Sequence, residues 1–141
     1  MRPAKRTERT LLALALLLGS TVTRADVVAV VSAKSPITAL SKSQVTDIFL
    51  GKTSRFPDGV QAVPIDQAEG SITRVEFYAK VIGKTAAQIK EYWSKIIFTG
   101  RGQPPPTVSN SDEVKKLLVE NPAAIGYIDA SMVDDSVRVV L

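Results

Sequence analysis

The chain contains neither histidine nor cysteine among its 141 residues. Without imidazole or thiol groups it cannot form a Ser-His-Asp or Cys-His catalytic centre, a disulfide or the usual zinc site. Any chemistry has to use carboxylates, hydroxyls, lysine, arginine, tyrosine or backbone N–H groups. A carboxylate pair such as Asp66 with Glu69 has groups for acid–base work, but neighbours of this kind arise by chance in any acidic set. We therefore predict no catalytic residue, no metal site and no cofactor.

Long apolar runs are also rare. The run at 11–18 is far shorter than the ~20 residues that a membrane-spanning helix needs. It follows a basic stretch that ends at Arg9 and precedes small and polar residues that end at Ala25, which is the three-part pattern of a secretory signal. The alternative, a buried N-terminal helix, would normally show a polar face. We predict a signal peptide at 1–25, cleaved near Ala25, and a periplasmic or secreted mature protein.

An excess of positive charge is confined to that leader. The whole chain has a formal charge of +4, but residues 1–25 contain five bases and one acid. The remaining 13 bases and 13 acids balance each other, and no basic stretch rich in aromatic residues follows. The region 26–141 is therefore not expected to bind nucleic acid.

Alternating strand and helix signals fill residues 26–141. The apolar run 26–32 predicts a central strand covered on both faces. Further strands are predicted at 60–65, 125–129 and 137–141, and capping signals place helix starts at Ser41, Ser71, Thr85 and Asn110. This order predicts an α/β fold with helices on both faces of a small, mostly parallel sheet.

The segment 66–74 lies where a strand passes into a helix. Four backbone N–H groups and the positive end of the helix dipole point out of a helix start, so such a place can hold an oxyanion. Gly70 allows a ligand to approach the backbone, and the hydroxyls of Ser71 and Thr73 are further donors. In the alternative interpretation, Ser71 only caps the helix and Thr73 is a surface residue.

Three motifs, at 40–52, 70–73 and 121–128, resemble in the same order the ligand-binding lobe of the phosphate-binding proteins of ABC transporters. They read Leu-Ser-x-x-Gln-Val-x-x-Ile-Phe-Leu-Gly-Lys, Gly-Ser-x-Thr and Asn-Pro-x-Ala-Ile-Gly-Tyr-Ile. The resemblance implies a single periplasmic-binding-protein-like lobe over 26–141. It also implies phosphate or a related tetrahedral oxyanion as ligand and an ABC permease as partner.

The resemblance also implies the residues of the site. The family loop resembles Arg-x-Asp-Gly-Ser-Gly-Thr, and the positions that align with it are Gln67, Glu69, Gly70, Ser71, Ile72 and Thr73. By this analogy Glu69 accepts a proton from a protonated oxyanion. Gln67 replaces the arginine of the motif, and Ile72 replaces a glycine. Arg74 either supplies the missing charge or points to solvent.

Three further alternatives stay open at this point. Arg101, in the Gly- and Pro-rich segment 98–106, either contacts a ligand or belongs to a rigid turn. The receptors that the chain resembles close two lobes around one anion, whereas about 116 residues supply one lobe. Tight binding would then need a homodimer or a partner that provides the second lobe.

Because of Gln67 and Ile72, the alternative function is an envelope adaptor or structural protein built on a degenerate lobe.

Overall fold

The structure is a computed structural model that describes residues 26–141. The predicted signal peptide at 1–25, including its cleavage near Ala25, lies outside the described residues. The elements are β1 (Val27–Ser32), α1 (Lys42–Phe49), β2 (Val63–Pro64), β3 (Asp66–Gln67), α2 (Ile72–Phe77), α3 (Ala86–Phe98), β4 (Thr107–Val108), α4 (Ser111–Glu120), β5 (Ala124–Asp129) and β6 (Val137–Val139). A π-helical turn, Tyr78–Ile82, continues α2, and a 3₁₀ turn, Ala130–Met132, follows β5.

The main sheet has the strand order β2-β5-β1-β6. β1 is antiparallel to β5, with Val31 opposite Ile125, and is also antiparallel to β6. β2 runs parallel to β5, and β3 and β4 form a separate parallel pair. The α/β lobe is therefore confirmed, but its main sheet is mixed and not mostly parallel.

The strand directions differ from the expectation because a continuous apolar run indicates that both faces of a strand are buried. It does not indicate whether the strand is parallel or antiparallel to its neighbours. In β1, Val31 packs into a core with α1, α2 and α3, whereas Val30 packs into a second core with α4. The same division holds in β5, where Tyr127 lies in the first core and Ile128 in the second. Helices thus cover both faces of the sheet, as predicted, and an antiparallel central strand is buried as completely as a parallel one.

The predicted helix caps are present. Ser41 with Gln44 and Thr85 with Gln88 form complete capping boxes. Asn110 caps α4, and Gly83, with φ of 73°, ends the π-helical turn after α2. These contacts join residues three positions apart, so they depend on local sequence alone.

The second strand is shorter than predicted. Only Val63–Pro64 pair with β5, while Gln61 pairs with Arg55 in a local turn and the Ala62 N–H donates to the Ser54 carbonyl at 2.9 Å.

None of the helices within 26–141 has the length and hydropathy needed to cross a membrane.

Candidate functional site

The loop between β3 and α2 has the predicted form. Gly70 has φ of 88°, a conformation that favours glycine, and the Ser71 N–H donates to the Ala68 carbonyl at 3.1 Å. Ser71 is the N-cap of α2, because its hydroxyl accepts the Arg74 N–H at 3.3 Å. A helix therefore begins at the end of a strand, at the position that the sequence indicated.

Two amide groups are unpaired at the start of α2. The N–H groups of Arg74 and Val75 are satisfied by the side chain and the carbonyl of Ser71. Those of Ile72 and Thr73 donate to no acceptor within residues 26–141, and the Thr73 hydroxyl also makes no hydrogen bond there. Unpaired N–H groups at a helix start are the ordinary ligands of an oxyanion.

Gln67 lies in the interior, with 1% of its surface exposed. Its Nε2 donates to the Tyr127 carbonyl at 3.0 Å and to Ser111 Oγ at 3.4 Å, and its Oε1 accepts the Ser71 hydroxyl at 2.9 Å. The expectation that Gln67 contacts a ligand is not met, because its polar atoms are paired inside the protein. The Gln67 side chain instead ties β3 to β5, α4 and the cap of α2.

The remaining loop residues face outward to different degrees. Glu69 and Gly70 are exposed, and Thr73 is half-buried. Ile72 projects from the start of α2 with 74% of its surface exposed. The carboxylate of Glu69 makes no hydrogen bond or ion pair to any residue between 26 and 141, so it is available as an acceptor.

Arg74 points inward. Only 11% of its side chain is exposed, its Nε lies 3.5 Å from Asp66 Oδ1, and its guanidinium carbon lies 4.9 Å from the centre of the Tyr78 ring. The alternative in which Arg74 points to solvent is therefore wrong. The buried carboxylate and the aromatic face hold the guanidinium group beside the loop.

Asp66 is the buried acid at this site, and its role was not recognised in the sequence. Its carboxylate accepts hydrogen bonds from the Tyr78 hydroxyl at 2.5 Å, from the Tyr127 hydroxyl, and from the Gln67 N–H at 2.8 Å. Burial raises the pKa of both tyrosines, and the charge of Asp66 raises these pKa values further. The phenols therefore remain donors. No sequence signal joins these residues, which are 12 and 61 positions from Asp66.

A cavity of about 380 Å³ opens beside the loop. Asp66, Glu69 and Arg74 line one end of it, and side chains of α3 and of the segment 104–107 line the rest. Arg101 lines a different cavity, next to Tyr92, so Arg74 and Arg101 do not share a site. Within the described part of the chain, no group of three or more acidic residues is placed to hold a metal ion.

Solved structures of phosphate-transport proteins share this fold. A candidate phosphate ABC transporter substrate-binding protein from Clostridium perfringens, solved with bound phosphate, is 25% identical with a TM-score of 0.64. An ABC-type phosphate transport receptor from Vibrio cholerae is 20% identical (TM-score 0.63), and PstS from Borrelia burgdorferi is 15% identical (TM-score 0.61). Each match covers 81% of this chain.

These matches define the class of fold. The chain has the periplasmic-binding-protein-like fold of phosphate ABC transporter substrate-binding proteins, and it spans 43%, 44% and 46% of the length of the three structures. It therefore corresponds to about half of each of them. Neither the family models nor the curated proteins contain a match to the sequence.

Proposed function

We propose that residues 26–141, exported after removal of the leader, form a solute-binding protein that binds phosphate or a similar tetrahedral oxyanion at the start of α2. The observation that carries this proposal is the pair of unpaired N–H groups of Ile72 and Thr73. These donors occur in a fold shared with phosphate-transport proteins, one of which was solved with phosphate bound. The matched proteins are binding proteins, and no catalytic step is proposed for this chain.

The hydrogen-bond donors at the start of α2 support an oxyanion ligand. The two N–H groups and the Thr73 hydroxyl point out of a helix start, where the dipole favours negative charge. Arg74 supplies the cation that Gln67 does not, and the exposed Glu69 carboxylate accepts a hydrogen bond from a protonated oxyanion. Ser71 contributes by capping the helix, and Gly70 by leaving the backbone accessible.

The affinity expected for this lobe alone is weak. About 2–4 charge-assisted hydrogen bonds, each worth about 1.5–3 kcal/mol before ordering costs, leave a net near −4 kcal/mol. That value corresponds to a dissociation constant near 1 mM. Because the chain spans about half of the matched structures, we propose that tighter binding needs a second lobe, from a homodimer or a partner protein. Delivery to an ABC permease is part of the same proposal.

An Ile72→Pro substitution tests the site. Ile72 is the first residue of α2, where proline fits the helix, and the extended Ser71 before it tolerates a following proline. The change removes one of the two unpaired N–H groups without breaking the helix. We expect phosphate affinity to fall roughly ten- to hundredfold, which is the loss of one charge-assisted hydrogen bond.

The measurement is the free energy of unfolding in phosphate and in chloride at equal ionic strength. At a phosphate concentration near 100 times the dissociation constant, phosphate should raise the free energy of unfolding of the unmodified protein by about 2.7 kcal/mol. The increase for the Ile72→Pro protein should be clearly smaller. Ala86→Pro is the matched control, because Ala86 is the first residue of α3 behind an extended Thr85. If phosphate does not stabilise the unmodified protein, or if both proline variants respond equally, the proposed site is wrong.

An adaptor at the cell envelope is the second candidate function. The apolar side chains of Ile72 and Phe98, which are 74% and 93% exposed, favour it, as does the burial of Gln67. This function predicts that a Thr73→Ala strain, which loses a donor of the proposed oxyanion site but no exposed apolar side chain, keeps its phenotype, whereas a receptor would lose anion-dependent stabilisation. Failure of the purified protein to capture any envelope protein would count against the adaptor.

A further inference from the structure

Apolar side chains project into solvent at the end of α3. Phe98, the last residue of this helix, is 93% exposed, and Ile97 before it is 54% exposed. The exposed Pro104 lies close to Ile97, because both residues line one cavity. We call these three side chains the apolar tip. They add little to the core, so their exposure indicates a contact with another surface.

Basic side chains flank the apolar tip. Lys90 lines the same cavity as Ile97. Lys95 lies one helical turn before Phe98, and Arg101 lies in the turn that follows the helix. All three bases are exposed, and within 26–141 those at positions 90 and 101 make no ion pair. The tip therefore lies in a positively charged part of the surface.

The charge of the domain is divided between the two faces of the main sheet. The segment 80–101, which contains α3, has five bases and one acid, whereas the segment 109–135, which contains α4, has six acids and two bases. The two helices pack against opposite faces of the sheet. A planar anionic surface would attract the α3 side of the molecule and repel the α4 side, so it would orient the apolar tip toward itself.

We propose that the end of α3 docks this protein on an anionic lipid bilayer. Phe98 inserts among the lipid headgroups, and the three flanking bases lie against the lipid phosphates. Apolar side chains flanked by Lys and Arg are typical of segments that bind at the membrane interface without crossing the membrane. The inference does not depend on the proposed oxyanion site.

The size of the apolar tip favours lipid over a protein partner. A stable protein interface covers about 800 Å² on each side, which is far more than three side chains at a helix end provide. A bilayer needs no matching surface, because a single projecting ring can enter it and the bases around the ring remain at the headgroups.

Binding to lipid vesicles tests the proposal. The test uses residues 26–141, which contain both apolar cores, because the basic and apolar leader would add lipid binding of its own. Each base near an anionic surface should contribute about fivefold to the affinity. Vesicles of phosphatidylcholine alone should therefore bind roughly a hundredfold more weakly than vesicles of equal parts phosphatidylglycerol and phosphatidylcholine. Equal binding to the two kinds of vesicle, or binding to neither, would overturn the proposal.

Two pairs of matched variants locate the contact. Phe98→Ser should weaken binding to the anionic vesicles at least tenfold, whereas Val119→Ser, at an exposed position of α4, should not change it. Lys90→Gln should weaken binding about fivefold. Lys116→Gln removes the same charge from an exposed position of α4 and should leave binding nearly unchanged. If the α4 variants weaken binding as much as the α3 variants, the proposed contact is wrong.

Sedimentation velocity without lipid examines a second copy of the chain as the occupant. The basic side of one copy and the acidic side of another also have opposite charges. A dimer that forms in the absence of vesicles and is lost in the Phe98→Ser protein would identify a second copy as the partner and overturn the lipid assignment. A protein that stays monomeric alone and binds anionic vesicles supports it.

Discussion

At the residue scale, the proposed site exchanges the roles that the positions of Gln67 and Arg74 suggested. Gln67, aligned with a motif arginine, is paired inside the protein, and Arg74, one position past the motif, presents its guanidinium group to the cavity. The exchange is physically consistent, because a neutral amide can be buried with its hydrogen bonds satisfied, whereas a guanidinium group needs a counter-charge. Asp66 is that counter-charge.

Gly126 shows how tightly one position is packed. A Cβ atom there would lie 2.5 Å from Val114 Cγ1, which is closer than packed side chains allow. We expect Gly126→Ala to lower the free energy of unfolding by about 1–3 kcal/mol through overpacking. Gly102→Ala is the control, because its Cβ would lie 3.6 Å from Ile96 Cγ2, and a change within about 0.5 kcal/mol is expected. Denaturant unfolding of both variants measures the difference, and equal losses would refute the packing argument.

At the element scale, the hydroxyl groups of Tyr78 and Tyr127 join three elements through Asp66. Tyr78, the first residue of the π-helical turn after α2, and Tyr127 of β5 both reach the carboxylate at the start of β3, so the loop before α2 is fixed at each side. Phe77 stacks on Tyr127, with ring centres 4.0 Å apart, and closes the apolar side of this cluster. The position of the loop between β3 and α2 thus depends on contacts outside the loop itself.

These tyrosines predict a pH dependence of stability. Burial raises the pKa of Tyr78 in the folded state, so above about pH 10 the unfolded chain releases a proton that the folded protein retains. The stabilising contribution is present below pH 10 and is lost as the pH rises, by about 1.4 kcal/mol per pH unit. We expect the free energy of unfolding of the Tyr78→Phe variant to fall less steeply above pH 10, although this variant is less stable at neutral pH. Unfolding measured from pH 8 to 11.5 tests this, and identical slopes would contradict it.

At the scale of the whole molecule, the sheet separates two apolar cores that share its central strands. Trp93 is the only tryptophan, and it lies in the core with α1, α2 and α3, whereas Leu118 lies in the core with α4. β1 and β5 contribute side chains to both cores. The two cores should therefore unfold together in one cooperative transition.

A Leu118→Ala substitution tests this coupling. Leu118 is fully buried, so its truncation should cost about 2–5 kcal/mol. If the cores are coupled, the midpoint of Trp93 fluorescence in denaturant shifts as far as the midpoint of circular dichroism, although Trp93 lies in the other core. A fluorescence midpoint that stays at the unmodified value would show that the cores unfold separately.

The local features of this protein follow from the order of its amino acids alone. The caps at Ser41, Ser71, Thr85 and Asn110, and the helix end at Gly83, follow from interactions within a few residues. The class of fold followed as well, because alternating strand and helix signals restrict the arrangement of layers.

Long-range packing sets the direction of the central strand, the burial of Gln67, the partners of Asp66 and the position of Arg74. Each depends on groups far apart in the chain, such as Tyr127, which lies 61 positions from Asp66. Apolar periodicity shows that a residue is buried, but it does not show which residues bury it. The loop between β3 and α2 could therefore be located from the sequence, whereas the side chains that surround it depended on long-range packing.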